Sequence, residues 1–245
     1  MEGAGYPARI CGEVCQSGFA TGQCRPDCRD FQERVHAPHE GASVLACLEF
    51  HRNGAPGQGT LRFGHERGAI AHIDGAPTFG AANVNLHDLA CDSYSGSAHK
   101  WFMGPKEAGI FYVKADRVKD YWALIVGSGW GAGVMCENPG ARKFECMGQR
   151  NEATLAAVGK AADFHMLIGE ARIEARISEL ATALKRGIAE IPGARLYTPM
   201  KPELSLGVIQ FDFGSGVDLA KVYTQYEKYG VAGAGVARQA RLEIC

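Results

Sequence analysis

The chain has 245 residues, of which 46% are hydrophobic and 22% charged, and this balance is that of an ordinary globular protein with a full core. Its formal net charge is −1 and its basic residues are spread along the sequence, so we expect no nucleic-acid partner. No apolar run approaches the roughly 20 residues that span a bilayer, and the N-terminus lacks the apolar stretch of a secretory signal. We therefore expect no membrane partner and a cytoplasmic location.

Residues 1–45 differ in character from the rest, because Cys, Gly, Pro, Arg and His are mixed without a period of 2 or 3.6. Two cysteine pairs with three-residue spacers lie here, followed by two histidines. These residues are Cys11, Cys15, Cys24, Cys28, His36 and His39. They could ligate zinc, but a two-residue spacer is the stronger signal, so coil is the preferred interpretation and no metal site is assigned. The odd total of nine cysteines favours reduced thiols.

From about Val44 onward the pattern is α/β. Short apolar runs predict buried strands, and an intervening polar segment predicts a turn or short helix. The predicted strands are Ala69–Ile73, Cys91–Tyr94 and Gly109–Lys114, with a turn or helix over Asn85–Leu89 and a short helix from Ala115 to Tyr121.

Two long helices are predicted after a glycine-rich loop or subunit contact at Gly127–Gly140. The first covers Glu152–Ile168. The second has an apolar stripe at three- and four-residue steps, and Pro192-Gly193 ends it. The stripe consists of Ile173, Ile177, Leu180, Leu184 and Ile188.

The C-terminal part predicts the start of a separate small α/β domain. Strands are expected within Ala194–Thr198 and Gly207–Phe213, and a helix over Val217–Tyr229. The predicted organisation is therefore an irregular segment at 1–45, a partial large domain at 46–191 and a partial small domain at 192–245.

Two motifs follow two of the predicted strands. Asp74-Gly75-Ala76 comes after the first, and Ser97-Ala98-His99-Lys100 comes after the second. Lys100 itself follows a predicted small-residue turn at Ser95–Ala98. A carboxylate and a lysine at neighbouring strand ends can converge on one ligand, and small residues let the backbone approach a phosphate. Taken singly, Asp74 could be a turn-forming residue and Lys100 a solvated surface lysine.

Together with the residues between them, these motifs resemble the class V aminotransferase family of fold-type I pyridoxal-phosphate enzymes. This family includes cysteine desulfurases, selenocysteine lyases and isopenicillin N epimerase-like proteins. The resemblance implies an α/β fold with a mostly parallel sheet flanked by helices and a partial C-terminal α/β small domain. It also implies pyridoxal 5′-phosphate as cofactor, a small amino acid as substrate, and a homodimer.

The resemblance assigns roles to four residues. Lys100 would form a Schiff base with the cofactor and move the α-proton of the substrate. Asp74 would keep the pyridine nitrogen protonated, so that the ring acts as an electron sink. The hydroxyl of Ser97 and the imidazole of His99 would hydrogen-bond the phosphate. The implied reaction is transamination, epimerisation or β-elimination.

Three further positions depart from the family pattern or match it weakly. Pro77 stands where the family has Gln or His against the phenolic oxygen of the cofactor, and this departure either weakens the cofactor electronics or passes that role to Thr78. Gln149 replaces a threonine that reaches the phosphate across the dimer interface, although Gly148–Arg150 could equally be a helix turn before Glu152. Arg241 falls where the family places an arginine for the substrate carboxylate.

The resemblance is strongest from Arg67 to Ile191 and fades at both ends. Desulfurases need a reactive cysteine near the stretch Lys228–Arg238, which contains none, so desulfuration is disfavoured. Family members carry a phosphate loop and a ring-stacking aromatic residue upstream, and residues 1–45 show neither. We expect a fragment, a truncated gene model or a degenerate paralogue. A further hypothesis is that residues 1–45 are non-native sequence joined to a family core.

The alternative function is a non-catalytic remnant that retains a dimerisation or interaction surface and does not hold the cofactor. A zinc-dependent interaction module is a third, weaker option.

Overall fold

The structure is a computed structural model that describes residues 65–66, 68, 70–125, 127, 140–145, 148–214, 217–231, 234–236 and 241–244. Its strands are β1 (His72–Asp74), β2 (Ser93–Ser97), β3 (Gly109–Val113), β4 (Arg195–Leu196), β5 (Ile209–Asp212), β6 (Ala234–Val236) and β7 (Arg241–Ile244). Its α-helices are α1 (Leu86–Leu89), α2 (Glu152–Ile168), α3 (Glu170–Ala189) and α4 (Leu219–Lys228). Short 3-10 helices cover Ala115–Asp120, Gly140–Phe144 and Pro202–Leu204.

Several predictions fall outside this part of the chain. They are the character of residues 1–45, the zinc alternative and most of the glycine-rich stretch 127–140. Within the described ranges, no group of three or more His, Cys, Asp or Glu side chains is placed to hold a metal ion. Of the helices in the same ranges, none combines the length and the apolar character that a bilayer crossing requires.

The first sheet has the order β1-β2-β3, with β1 parallel to β2 and β3 antiparallel to it. β1 begins three residues later than predicted and β2 begins two residues later. Each predicted apolar run also included the residues just before the strand. The predicted turn at Ser95–Ala98 is wrong, since Ser95–Ser97 is the second half of β2. Position 96 has room only for glycine, because a Cβ there would lie 2.7 Å from Cγ of Phe79.

Strands β1 and β2 together have one apolar and one polar side, because successive side chains of a strand point to opposite sides. Ile73 and Tyr94 pack on the apolar side in a core with Ala71, Leu89 and Cys91. The alternate positions of β1 and β2 belong to the other side. They are His72, Asp74, Ser93, Ser95 and Ser97. We call these five residues the polar face.

The two long helices form as predicted. The side chain of Asn151 caps α2 by accepting a hydrogen bond from the amide of Thr154, and α2 ends at Gly169, whose φ of 92° lets the chain turn into α3. The predicted apolar stripe of α3 is wrong at Leu180, which is 52% exposed. The buried positions of α3 are instead Glu174, Ala181, Lys185 and Ile188, a face rotated by about one residue.

The second sheet has the order β4-β5-β7-β6 and is antiparallel throughout. Ala181 and Ile188 of α3 pack against Ile209 and Phe211 of β5, which forms a separate core. β4, β5 and helix α4 lie within the predicted segments with narrower bounds, whereas β6 and β7 were not predicted. The α/β class is confirmed, and the domain limits at residues 46 and 192 stay predictions.

Candidate functional site

Asp74 is the last residue of β1. Its carboxylate oxygen Oδ1 accepts a hydrogen bond of 2.9 Å from the amide of Ala76, so it does form the turn that an Asp-Gly pair favours. Because β1 and β2 are parallel, Asp74 lies opposite Ser95, and Ser97 ends β2 at the same edge of the sheet. Ligands of α/β sheets bind outside the carboxyl ends of parallel strands. This edge is therefore the expected location of a site.

Lys100 lies in a tight loop directly after β2. The amide of Gly104 donates to the carbonyl of Ala98 at 2.7 Å, and that of Met103 donates to the carbonyl of Lys100 at 3.0 Å. His99 and Lys100 are exposed on this loop. Met103 has a φ of 55°, a left-handed conformation that costs a non-glycine residue on the order of 1–3 kcal/mol. Strain of this kind concentrates at functional loops.

We call residues 75–85 the Asp74 loop and residues 98–108 the Lys100 loop. These two loops touch each other. Gly80 has a φ of 86°, and a Cβ there would lie 2.5 Å from both Cα and N of Phe102. The ring of Phe79 stacks on that of Phe102, with 4.4 Å between centroids. The structure therefore brings the Asp74 loop and the Lys100 loop together, as the sequence predicted for two neighbouring strand ends.

Helix α2 anchors the Lys100 loop from one side. The ring of His165, which is buried, stacks on Phe102 with 4.9 Å between centroids. Ala98 and Phe102 share a buried cluster with Ala161 of the same helix. The aromatic stack of Phe79, Phe102 and His165 was not predicted, because its members are far apart in the sequence.

Helix α3 anchors the Asp74 loop, and the segment around Gly207 anchors the Lys100 loop. The carboxylate of Glu174 accepts a hydrogen bond of 3.1 Å from the amide of Asn83, in the Asp74 loop. Trp101, next to Lys100, packs against Gly207, where a Cβ would lie 2.4 Å from Cζ2 of the indole and 3.1 Å from Cγ2 of Ile177. The exposed Lys100 thus stands on a loop whose next two residues are packed against other elements.

Beside Asp74, the polar face carries a chain of hydrogen bonds that sequence reasoning missed. Nδ1 of His72 lies 2.7 Å from Oγ of Ser93, and Nε2 lies 3.2 Å from Oγ of Ser95. The hydroxyl of Tyr121 donates to Oγ of Ser93 at 2.8 Å. Burial lowers the pKa of His72, and the negative charge of Asp74 opposes this in part. The alternation of polar residues in both strands was the signal that could have revealed this face.

The other predicted site residues lie in different settings. Ser97 is half-buried on the polar face, whereas Thr78 is buried and its hydroxyl donates to the carbonyl of Gly75 at 3.3 Å. Gln149 is exposed in an irregular segment before the cap of α2. Arg241 begins β7, and its side chain lies outside the described part of the structure. The roles assigned to these four residues stay predictions.

Cys91 lies beneath the same sheet and is a free, buried thiol. Burial raises its pKa to about 11, so almost none of it is thiolate at neutral pH. Since the thiolate is the reactive form, Cys91 is a core residue and not a nucleophile.

The donor set at this edge suits pyridoxal phosphate. A carboxylate, an amine, an imidazole and a hydroxyl stand on two adjacent, mutually packed strand ends at Asp74, Lys100, His99 and Ser97. These groups match the pyridine nitrogen, the aldehyde and the phosphate of that cofactor in charge and hydrogen-bonding type.

Comparison with known families gives a match to the family model Aminotransferase class-V over residues 55–235, most of the chain. The chain belongs to the class-V aminotransferase family. This confirms the resemblance found from the two motifs, and the pyridoxal-phosphate dependence of the family supports the expected cofactor.

Curated relatives include two kinds of enzyme. The isopenicillin N epimerase of Streptomyces clavuligerus is 32% identical over 166 residues, which cover 64% of this chain and 42% of the relative. A cysteine desulfurase of Dickeya dadantii is 30% identical over 177 residues, which cover 68% of this chain and 41% of the relative. The chain therefore spans less than half the length of these relatives.

Solved structures with the same fold include a cysteine desulfurase of Thermococcus onnurineus NA1, with a TM-score of 0.71 and 20% identity, covering 89% of this chain and 57% of that one. A mutant of C-DES with glycine covalently linked to its PLP cofactor has a TM-score of 0.67 and 19% identity, covering 82% of this chain and 54% of that one. The chain has the fold of the fold-type I pyridoxal-phosphate enzymes, as predicted.

Proposed function

We propose that the chain carries the cofactor-binding core of a pyridoxal-phosphate enzyme that acts on a small amino acid through a Schiff base on Lys100. The observation that supports this most directly is the packing of the Asp74 loop against the Lys100 loop at the carboxyl ends of β1 and β2. When bound, the cofactor supplies an electron sink that stabilises negative charge at the α-carbon of an amino acid.

Each of four site residues has a separate role in this proposal. Lys100 would hold the cofactor through its aldehyde, and its amine, once the amino group of the substrate has displaced it, would serve as the base for the α-proton. The carboxylate of Asp74 would hold the pyridine nitrogen in its protonated form. Ser97 and His99 would hydrogen-bond the phosphate, and the exposed position of His99 suits a contact with a ligand that arrives from solvent.

Three residues have supporting roles in the proposal. Thr78 stands in for the donor that Pro77 lacks, although its hydroxyl is engaged with Gly75 and would have to turn. Gln149 reaches the phosphate of a second subunit in a homodimer, and its exposure on the surface agrees with a role outside its own site. Arg241 binds the carboxylate of the substrate. A cytoplasmic location belongs to the same proposal.

The proposed reaction is transamination, epimerisation or β-elimination. The two relatives described above bear the names of an epimerase and a desulfurase. Desulfuration is the less favoured of these, because the sequence from Lys228 to Arg238 contains no cysteine.

A second candidate is a remnant that keeps an interaction surface and does not hold the cofactor. The observation that favours it is Pro77, which offers no side-chain donor at the position where the family has Gln or His against the phenolic oxygen of the cofactor.

Cofactor trapping separates the two candidates. The purified chain is mixed with pyridoxal phosphate, reduced with borohydride and digested, and mass spectrometry locates the modified lysine. We expect the label on Lys100 and its loss in Lys100→Ala, together with loss of the visible absorbance band. Lys106→Ala, at an exposed lysine of the same loop, is the matched control and should retain the label. No label on Lys100 at saturating cofactor would favour the remnant.

A further inference from the structure

His72 is the one polar-face residue besides Asp74 that carries a titratable group, and it stands two residues before Asp74 on the same side of β1. Its two ring nitrogens lie within hydrogen-bonding distance of two serines of the neighbouring strand, at 2.7 Å for Ser93 and 3.2 Å for Ser95. Ser95 is also the residue that pairs with Asp74 in the register of the sheet. His72 is therefore held in place immediately beside the carboxylate.

The direction of the hydrogen bonds follows from Tyr121. Its hydroxyl donates to Oγ of Ser93, which leaves the single proton of Ser93 available for Nδ1 of His72. The ring then carries its own proton on Nε2 and donates it to Oγ of Ser95. In this arrangement both ring nitrogens of the neutral imidazole are hydrogen-bonded, and partial burial disfavours the charged form further.

Among the residues that the structure describes, Asp74 is the charged group that acts on His72. Asp74 on the same strand is negative, and β2 contributes only serine hydroxyls. β3 contributes the ring of Phe111, 6.2 Å from the imidazole between centroids, and the segment after the first 3-10 helix contributes the phenol of Tyr121. Lys143, from the neighbouring 3-10 helix, donates to the carbonyl of Val118. Asp74 and His72 therefore form an electrostatic pair.

We propose that His72 is a positioning residue for Asp74. Held neutral between Ser93 and Ser95, it places no positive charge beside the carboxylate that would hold the pyridine nitrogen, and protonation of His72 in acid gives Asp74 a competing cation. This inference rests on the proposed function, in which Asp74 binds that nitrogen. His72 affects cofactor binding only at acid pH in this proposal, because the pKa of its imidazole lies below the ordinary value of 6.5.

The test measures the affinity for pyridoxal phosphate as a function of pH in the full chain. In the wild type we expect binding at about pH 5 to be at least about threefold weaker than in His72→Gln, with the two alike within about twofold at about pH 7.5. His87→Gln, at an exposed histidine of α1, is the matched control and should keep the wild-type profile. A purely structural role would shift affinity equally at both pH values, and that result would overturn the proposal.

A second measurement needs no cofactor and so separates this inference from the proposed function. Nitrogen-15 NMR of histidine in the cofactor-free chain should show His72 as the Nε2-protonated tautomer, and Ser95→Ala should perturb that signal. Asp74→Asn should lower the pKa of His72, because it removes the negative charge that raises it. An unchanged pKa in Asp74→Asn would overturn the pairing, whatever the outcome of the cofactor experiments.

Discussion

Single buried polar residues hold the first sheet in place, and Asp92 is the clearest case. Its side chain is 1% exposed and is bonded at 2.8 Å by Nε2 of His65, at 2.7 Å by the amide of Ala71, and at 3.2 Å by Nε of Arg117. A buried carboxylate is tolerated only with such a set of donors. Asp92 therefore joins the segment before β1, the start of β2 and the first 3-10 helix.

Asp92→Asn should lower the free energy of unfolding by about 2 kcal/mol, because two charge-assisted bonds become neutral and an amide replaces one acceptor oxygen. The matched control is Asp116→Asn, whose exposed carboxylate lies 3.8 Å from an equally exposed Lys114. It should change the free energy by no more than about 0.5 kcal/mol. Urea unfolding followed by circular dichroism measures both, and equal effects would show that the Asp92 bonds are not stabilising.

The site depends on two loops more than on the strands that precede them. β1 has three residues and ends where the Asp74 loop begins, so the loop conformation fixes where the carboxylate stands. Gly75 permits the ring of Tyr94 to lie directly under this loop, since a Cβ would be 1.9 Å from Cζ of that ring. Gly80 then permits the backbone contact with Phe102.

Gly80→Ala should therefore separate the loops. The added methyl would meet the backbone of Phe102 at 2.5 Å, and the φ of 86° is unfavourable for alanine, so we expect a loss of about 2–3 kcal/mol in stability and loss of cofactor labelling at Lys100. Gly159→Ala, on the exposed side of α2 with open space around it, is the control. It should stabilise the protein by about 0.5–1 kcal/mol, since alanine favours the helix. Thermal unfolding and borohydride trapping test both variants.

At the scale of the whole molecule, α3 links the two sheets. The first half of this helix contacts the Asp74 loop through Glu174, and its second half packs on β5 through Ala181 and Ile188. One helix therefore supports both a loop of the candidate site and the C-terminal sheet.

Three large apolar side chains are exposed in the short segment that follows Tyr121. Trp122 is 74% exposed, Leu124 is 96% exposed and Ile125 is 61% exposed. Such a patch is typical of a surface that a partner covers, and a second copy of the chain is the partner that the homodimer proposal names.

Leu124→Glu should weaken a dimer at least about tenfold, because it places a charge where an apolar side chain would be buried. Leu167→Glu is the control: this leucine is 81% exposed on α2, away from that segment in sequence. Sedimentation velocity across a range of concentrations measures the association. Equal effects of the two substitutions, or a monomer in the wild type, would contradict a dimer formed through this patch.

The sequence alone was sufficient for the features that depend on local pattern. The sequence predicted α2 with its observed ends, and the two strand-end motifs predicted the family, the fold class and the proximity of the Asp74 and Lys100 loops. These signals are readable because helix periodicity and strand-end chemistry act over a few residues, whatever surrounds them.

The tertiary structure decided what depends on contacts between distant segments. The sequence could not show that Ser95–Ser97 continues β2, that Leu180 lies on the exposed side of α3, or that Phe79, Phe102 and His165 stack. It also could not show that His72 sits between two serines beside Asp74. Small and polar residues suit both a turn and a strand, and only the neighbours that the fold packs against them select between the two.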